Sequence, residues 1–374
     1  MKYVTFETAF GPCGVRWSGD GVSGVQLPMA DEEALVATMQ CGGAQAGRPP
    51  RAVGAAIRKM QRHLDGRLDP LTDVKLDLSG LTPFRREVSE ALRRVGPGQT
   101  TTYGALAAAV GRPRGAQAAG GAMANNPMPL VIPCHRVLGG GGDLGGFSAH
   151  GGVGTKLRLL SVEGADLEPV ARRGVALLRR SDPLLGDVIR RARRPYRVST
   201  MQADDPFTIL CQSIVHQQVS MKAGATIFGR LLAVGGRGKK MSARKVLAAP
   251  VEALRGVGLS GMKVSYVKDL AHKSQSGELP LKRLVRMDDA AIIEALTAVK
   301  GVGIWSAQMF LMFHLGRLDV LPVGDLGLRK GVQQVYGLPE QPTPAELKER
   351  AQAWAPFRSV ATWYFWRALE AGGL

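Results

Sequence analysis

Apolar and polar residues alternate over three short runs near the start of the chain, Tyr3 to Phe6, Gly14 to Trp17 and Val22 to Leu27, with glycines between them. A period of two predicts β-strands with one buried face, and the glycines predict turns. The stretch AVGAAIRKMQRHLDG changes the period, its apolar positions recurring at helical spacing. From Thr82 the pattern is mostly helical. TPFRREVSEALRRV opens on a capping Thr with Pro at the first helical position, and Gly96 closes it. TTYGALAAAVG and AQAAGGAMAN predict two short helices around the turn GRPRG, the pattern of a helix-turn-helix. Next come a strand-like apolar run, PLVIPCHRVL, a segment GGGGDLGG expected to be flexible, and a helix from about Val153 to Val162. Between Arg172 and Arg194 the chain holds eight arginines and two acids, which predicts a basic linker over 166–180 and then the first helix of a second domain; a solvated basic face is the plainer reading of most of these arginines. From Asp205 onward the pattern is almost entirely helical, with no repeat of solenoid length. The expected fold is α+β over the first half, divided into 1–78 and 79–165, and mostly α over 181–374.

The composition narrows the partner. A chain of 374 residues is long for one domain, and 49 Lys and Arg against 31 Asp and Glu leave a net charge of +18. Such an excess favours a polyanion, either nucleic acid or an anionic membrane surface. No apolar run of spanning length occurs and the N-terminus has no long apolar core, so neither a membrane span nor a secretory signal is expected. Cys13, Cys41, Cys134 and Cys211 are scattered without a CxxC pair, so no metal site, cofactor or disulfide framework is expected. Sparse free thiols suit a reducing cytoplasm, which tilts the partner toward nucleic acid and the location toward the nucleoid.

Two places carry candidate chemistry. In Pro133-Cys134-His135-Arg136-Val137 an imidazole adjoins a thiol. A base that takes the thiol proton leaves a thiolate, which is the nucleophile. Taken alone, the dipeptide is better read as a chance pair buried in a core. Its surroundings, TTYG at 101–104, GGAMANNPMPLVIPCHRV at 120–137, GGFS at 145–148 and KLRLLSVEG at 156–164, resemble the O6-alkylguanine-DNA alkyltransferases. The resemblance covers roughly residues 1–165 and implies a small ribonuclease-H-like subdomain before a helix-turn-helix active domain. It also implies roles: Cys134 accepts the alkyl group, His135 is its base, Glu163 holds and polarises that base, Asn126 orients the site, and Tyr103 serves the leaving purine. Phe147 and Ser148 fall in the base pocket, and Arg136 with the small-residue helix falls on the DNA side. The damaged base would be flipped out of the duplex to reach the thiol. Gln117 stands where the family usually has an arginine that fills the gap, and Phe147 where a tyrosine is usual; both bear on flipping rather than on the chemistry. A Cys-His hydrolase is the competing enzyme reading.

The second place is LTAVKGVGIWSAQMFLMFHL at 296–315, a helix, a tight turn and a helix. Gly301 and Gly303 can present backbone amides to a phosphate. Asp325, in Pro322-Val-Gly-Asp, is equally well read as a helix cap or a catalytic carboxylate, and it can be both. Together with SIVHQQVS at 213–220, GLSGMKVSYVKDLA at 258–271 and WAPFRSVATWYFW near the end, this order resembles the helix-hairpin-helix DNA glycosylases, nearest to the 3-methyladenine DNA glycosylase II group, over roughly residues 180–374. The resemblance implies that Asp325 stabilises an oxocarbenium-like sugar, that Trp305 and Trp366 line the pocket, and that Gln218 fills the space the base leaves. Trp363 and Tyr364 are read as pocket or core. Trp305 occupies the position of a Schiff-base lysine in bifunctional relatives, so base excision without strand cleavage is expected. The combined expectation is repair of double-stranded DNA carrying alkylated bases, by transfer to Cys134 and by excision at Asp325, with no obligate protein partner. The alternative is that one half only tethers the other to DNA or senses damage.

Overall fold

The structure is a computed structural model that describes residues 1–192, 194–198, 205–238 and 240–370. Arg193, part of the arginine-rich stretch, lies outside the described residues. The chain forms two compact units, Met1–Ala176 and Leu177–Leu374.

In the first unit, β1 (Lys2–Phe6), β2 (Cys13–Trp17), β3 (Val22–Gln26) and β4 (Gln45–Ala46) form a sheet in the order β3-β2-β1-β4. The first three pair antiparallel and β4 joins β1 in parallel. Alternation sends Val15 and Trp17 of β2 to one face, a register shift brings their partners Val25 and Val22 of β3 to the same face, and α2 (Arg51–Leu64) lays Val53, Ala56, Ile57, Met60 and Leu64 against them. Against Tyr3 on β1 lies a helix the pattern did not announce, α1 (Glu32–Gln40), with Leu35 and Met39. Only two of its nine residues are buried, too few for a period to emerge, and Asp31 starts it by accepting from the Ala34 N–H at 2.8 Å. A Cβ on Gly14 would lie 2.5 Å from Met39 Sδ, so the missing side chain is what lets α1 sit down on the sheet.

The rest of this unit is helical. Thr82 caps α3 (Pro83–Leu92), and the pair α4 (Tyr103–Ala109) and α5 (Ala116–Ala124) follows. The strand expected through PLVIPCHRVL does not form. Leu130, Val131 and Ile132 are buried, but prolines at 129 and 133 break any ladder, Cys134–Arg136 make a 3-10 turn, and only β6 (Val137–Leu138) pairs, with β5 (Thr101–Thr102). The glycine-rich loop is tied down, contrary to expectation. Asp143 accepts from Gly145 N at 2.9 Å and from Arg173 at 2.9 Å, and a Cβ on Gly142 would meet Pro169 O at 2.4 Å. After α6 (Gly152–Val162), the segment expected as a linker folds as α7 (Glu168–Ser181), which contains the boundary between the units. Its buried positions, Val170, Ala171 and Leu178, are interrupted by paired arginines that gave the sequence its linker-like look.

The second unit runs through α8 (Pro183–Arg191), α9 (Pro206–His216), α10 (Met221–Gly235), a small hairpin of β7 (Gly236–Arg237) and β8 (Lys240–Met241), α11 (Ala243–Ala248), α12 (Val251–Gly256), α13 (Gly261–Ser276), α14 (Asp289–Thr297), α15 (Ile304–Met309), α16 (Leu326–Tyr336), α17 (Pro344–Arg350) and α18 (Arg358–Glu370). Leu210, Cys211 and Ile214 of α9 pack with Val264, Val267 and Leu270 of α13 and with Ala307 of α15 in one core. The backbones of α16 and α18 come close at Gly331, where a Cβ would lie 2.4 Å from Phe365 O. Asp182 caps α8 and also accepts from Trp354 Nε1 at 3.0 Å and from the Tyr336 hydroxyl. Tyr364 is buried core, its hydroxyl accepting from Tyr196 N at 3.2 Å, whereas Trp363 is half-buried, edge-on to the Tyr196 ring and covered by the Arg367 guanidinium.

Candidate functional site

Cys134 lies at the base of a cavity of about 140 Å³, walled by Asn126, Pro127, Phe147, Ser148 and Ala149. Arg16, Val25, Gln26, Thr38 and Met39, from the N-terminal sheet and α1, line it too. Those five carried no signal in the sequence, since only the fold brings them to the thiol. Cys134 is 6 % exposed. Asn126 Nδ2 donates to Cys134 Sγ at 3.1 Å and to Ile132 O at 2.7 Å, while Asn126 Oδ1 accepts from Met128 N. One side chain thus fixes the irregular backbone and the sulfur together. Burial pushes the Cys134 thiol up, against the Asn126 hydrogen bond and the nearby Lys156 ammonium, which favours its protonated form.

The tautomer of the neighbouring imidazole follows from its partners. His135 is fully buried, and its Nε2 lies 2.9 Å from Glu163 Oε1. A carboxylate only accepts, so the ring proton is on Nε2 and Nδ1 carries the lone pair. Nδ1 is buried and makes no hydrogen bond within the protein. Burial holds the His135 imidazole below its ordinary value despite Glu163, leaving it in the basic form near neutrality. Glu163 is surrounded by donors: Arg136 reaches it through Nε at 2.9 Å and Nη2 at 2.7 Å, His63 Nε2 at 2.9 Å and Gly98 N at 3.4 Å. Burial alone would raise this carboxyl, but His135, His63 and Arg136 together hold it far below the usual carboxylate range.

Arg136 and Lys156 both turn inward. Arg136, expected on the DNA side, is 1 % exposed, forks onto Glu163 and donates to Val95 O at 2.5 Å. Its charge is spent inside the protein, because a buried carboxylate needs a counter-ion more than the surface needs one arginine. Lys156 is fully buried and donates to Val137 O and Leu144 O, each at 2.6 Å; burial brings it down to about 8, opposed by Cys134 and Asp143. The motif containing Lys156 was legible, but its role was not. Tyr103 starts α4 with its ring against Gly120 of α5 and its hydroxyl beside Gly145, and burial pushes that hydroxyl up. Gln117 is exposed on α5.

In the second unit Asp325 takes the capping role that the sequence allowed, and its carboxylate makes further contacts. It caps α16, its Oδ1 accepting from Leu328 N at 2.5 Å, and it receives two indole N–H groups, Trp366 Nε1 on Oδ1 at 2.7 Å and Trp305 Nε1 on Oδ2 at 2.6 Å. Asp325 is 8 % exposed while Trp305 is 50 % exposed, so one indole both orients the carboxylate and presents a face to solvent. Trp366 stacks on Phe313 at 6.0 Å, and Phe313 belongs to a π-helical turn, Phe310–His314, that ends α15. Phe313, Phe310, Met309 and Ser306 form one wall of a cavity of about 260 Å³, and Ile209, Gln212, Ser213 and His216 of α9 form another.

The loop after α9 exposes Gln218 in a left-handed conformation, φ +54°. Lys263 Nζ holds it, donating to Val215 O at 2.7 Å and Gln217 O at 2.6 Å, and Gln217 Nε2 donates to Gly301 O at 2.8 Å. Gly301 has φ +77°, and a Cβ there would enter the Tyr266 ring at 2.1 Å. Only glycine fits this turn, and Gly303 then caps α15. The sequence contained Gln217 and Lys263 in quoted motifs without hinting that they clamp this loop. Among the described residues, no group of three His, Cys, Asp or Glu side chains is placed to hold a metal ion, and no helix is long and apolar enough to cross a membrane.

Comparison with known proteins separates the units in the same way. Residues 83–165 match the family model of the 6-O-methylguanine DNA methyltransferase DNA-binding domain, and residues 211–357 that of the HhH-GPD superfamily of base excision DNA repair proteins. The chain is 36 % identical to the methylated-DNA–protein-cysteine methyltransferase of Methanothermobacter thermautotrophicus, over 41 % of this chain and 81 % of that protein. The corresponding protein of Mycobacterium bovis is 32 % identical, over 44 % and 92 %. DNA-3-methyladenine glycosylase 1 of Schizosaccharomyces pombe is 33 % identical, over 46 % of this chain and 76 % of that protein. The chain therefore belongs to two families at once, the methylated-DNA–protein-cysteine methyltransferases and the HhH-GPD DNA-3-methyladenine glycosylases.

Proposed function

We propose that the protein repairs alkylated double-stranded DNA by two reactions, one in each unit: it moves the alkyl group of O6-alkylguanine onto Cys134, and it hydrolyses the glycosidic bond of N-alkylated purines such as 3-methyladenine at Asp325. In the first, His135 Nδ1 takes the Cys134 proton through a water, the sulfur displaces the purine oxygen from the alkyl carbon, and the electron pair of the broken C–O bond goes to the purine, which Tyr103 protonates. The orientation of His135, with Nε2 on Glu163 and Nδ1 free, supports this reading most strongly. Asn126 positions the sulfur, and Phe147 and Ser148 receive the base. The pair α4 and α5 acts as a helix-turn-helix whose Ala and Gly surface approaches DNA, with Gln117 in the gap left by the flipped base. A ribonuclease-H-like description suits the N-terminal sheet.

In the second reaction, the uncompensated anion of Asp325 stabilises the oxocarbenium-like sugar and helps place the attacking water. The paired indole donors support this, since they fix both carboxylate oxygens while their own N–H groups are neutral. Trp305 and Trp366 offer ring faces to a cationic purine, Gln218 fills the vacated space, and Gly301 and Gly303 seat a phosphate. The reaction ends at an intact abasic site, because indole at 305 supplies no amine. The basic charge and scattered thiols suit work on chromosomal DNA in a reducing cytoplasm.

The test is a paired assay of one preparation on duplexes carrying O6-methylguanine or 3-methyladenine. Cys134→Ala should abolish stoichiometric transfer and spare base release. Asp325→Asn, which keeps the cap, should slow base release about 10²–10³-fold and spare transfer and duplex binding. Unchanged base release by Asp325→Asn would reduce the second unit to a tether, and sustained amide hydrolysis by the first would make Cys134 a hydrolase nucleophile instead.

A further inference from the structure

The Glu163 carboxylate accepts one more hydrogen bond than the transfer reaction asks for. Oε1 receives His135 Nε2, Arg136 Nη2 and His63 Nε2; Oε2 receives Arg136 Nε and Gly98 N. Five donors meet two oxygens with about four lone-pair sites. His63 comes from the last turn of α2, far from Cys134 in sequence, and is fully buried. Its ring has a second tie: Nδ1 accepts from the Asp69 backbone N–H at 3.2 Å. A backbone N–H can only donate, so Nδ1 holds a lone pair and the His63 proton must be on Nε2, aimed at Glu163. Protonating Nδ1 would set one donor against another. His63 is thus a neutral donor locked into one tautomer.

We infer that His63 is a positioning residue for alkyl transfer, a fixed neutral donor that shares Glu163 Oε1 with His135 and limits how strongly the carboxylate can hold a proton on the His135 ring. The inference rests on the proposed role of His135 as the base. Arg136 from the 3-10 turn already neutralises Glu163, so the field at His135 is that of an ion pair. The remaining leverage lies in how many neutral donors divide Oε1. With His63 present, each contact is weakened and His135 stays ready to take the Cys134 proton; without it, Oε1 turns toward His135 and raises its proton affinity. The other charges near His63, Asp69 with Lys59 at 4.0 Å and Arg62 at 3.5 Å, form a cluster toward the protein surface. Lys156 acts on the Cys134 thiol rather than on His135.

The experiment measures single-turnover transfer from an O6-methylguanine duplex between pH 5.5 and 9 with the full chain. For His63→Leu the acidic limb should move to higher pH by about half a unit to one unit, a loss of about 3–10-fold on that limb and little change at pH 8.5. His63→Gln, which returns an N–H donor at similar reach without titrating, should restore the native profile. A loss uniform across pH, or a profile identical to the native one, overturns the inference and leaves His63 a packing residue. Should His63→Leu not fold, imidazole ¹⁵N–¹H correlations on the native protein decide the matter: a single Nε2–H tautomer throughout supports it, and a His63 imidazolium or Nδ1–H signal overturns it. Glu163→Gln separates the two levels. If it leaves the profile unchanged, the relay through His135 is itself wrong; if it alters the profile while His63→Leu does not, only the role of His63 falls.

Discussion

The two sites solve opposite electrostatic problems with the same kind of residue. Glu163 and Asp325 are both nearly buried carboxylates, 4 % and 8 % exposed. Glu163 is met by a guanidinium in a two-pronged contact, so its charge is cancelled where it stands and what it offers His135 is direction. Asp325 is met by two indole N–H groups and a backbone N–H, all neutral, so its orientation is fixed while its charge is kept. On the proposed chemistry, a carboxylate that holds a base in one tautomer can be neutralised. One that stabilises a cation cannot. The donors around an acid therefore tell which work it does better than its burial does.

That contrast can be broken experimentally. Arg136→Met should be the most damaging change to the first unit: it strips the counter-ion from a buried anion, and unfolding should become easier by about 3–5 kcal/mol. Thermal denaturation measures this, and a loss below 1 kcal/mol would mean that Glu163 is not a true ion-pair partner. Gly301→Ala comes next, about 1–3 kcal/mol, because the new Cβ meets the Tyr266 ring at positive φ. Weakened duplex binding should accompany it, read by titration of an abasic duplex. Trp305→Phe and Trp366→Phe each keep an aromatic face and delete one donor to Asp325. Each should slow base release about tenfold, the worth of a hydrogen bond to a charged group, and transfer by the first unit should be untouched. The smallest effect concerns pH. The imidazole of His135 is held below its ordinary value, so transfer should persist, with little loss, below the pH near 6.5 where an ordinary histidine base fails. A limb at or above that pH would contradict the buried, ion-paired setting.

Much of this architecture was legible in the sequence, for reasons that differ by element. The three long strands, α2, α3 and the capped helices declare themselves through period and caps, because each buries a single face. The strand-like reading of 129–138 fails because burial and extension are different things: Leu130 to Ile132 are buried without a ladder. The segment 166–180 reads as linker rather than helix because the apolar stripe of α7 is narrow and arginines flank it. Around the sites, Cys134, His135, Asn126 and Asp325 stand in motifs whose local spacing is itself the signal. His63, Met39 and Arg16 reach the Cys134 neighbourhood only through tertiary packing, and no local pattern marks them. Arg136 reads as outward-facing because a charged residue in a short motif looks so until the acid that claims it, Glu163, is found beside it.

Cys134 and Asp325 stand in separate compact units and share none of the residues that hold them. On the proposed chemistry this has a temporal consequence. Transfer ends in a thioether, so the first site is consumed by its one event, whereas the second is returned unchanged by every hydrolysis. A molecule that has acted once at Cys134 goes on as a glycosylase with an exhausted companion. In a population of molecules, the surviving ratio of transfer capacity to excision rate becomes a running record of how many O6 lesions have been met, a cumulative dosimeter kept by the protein itself.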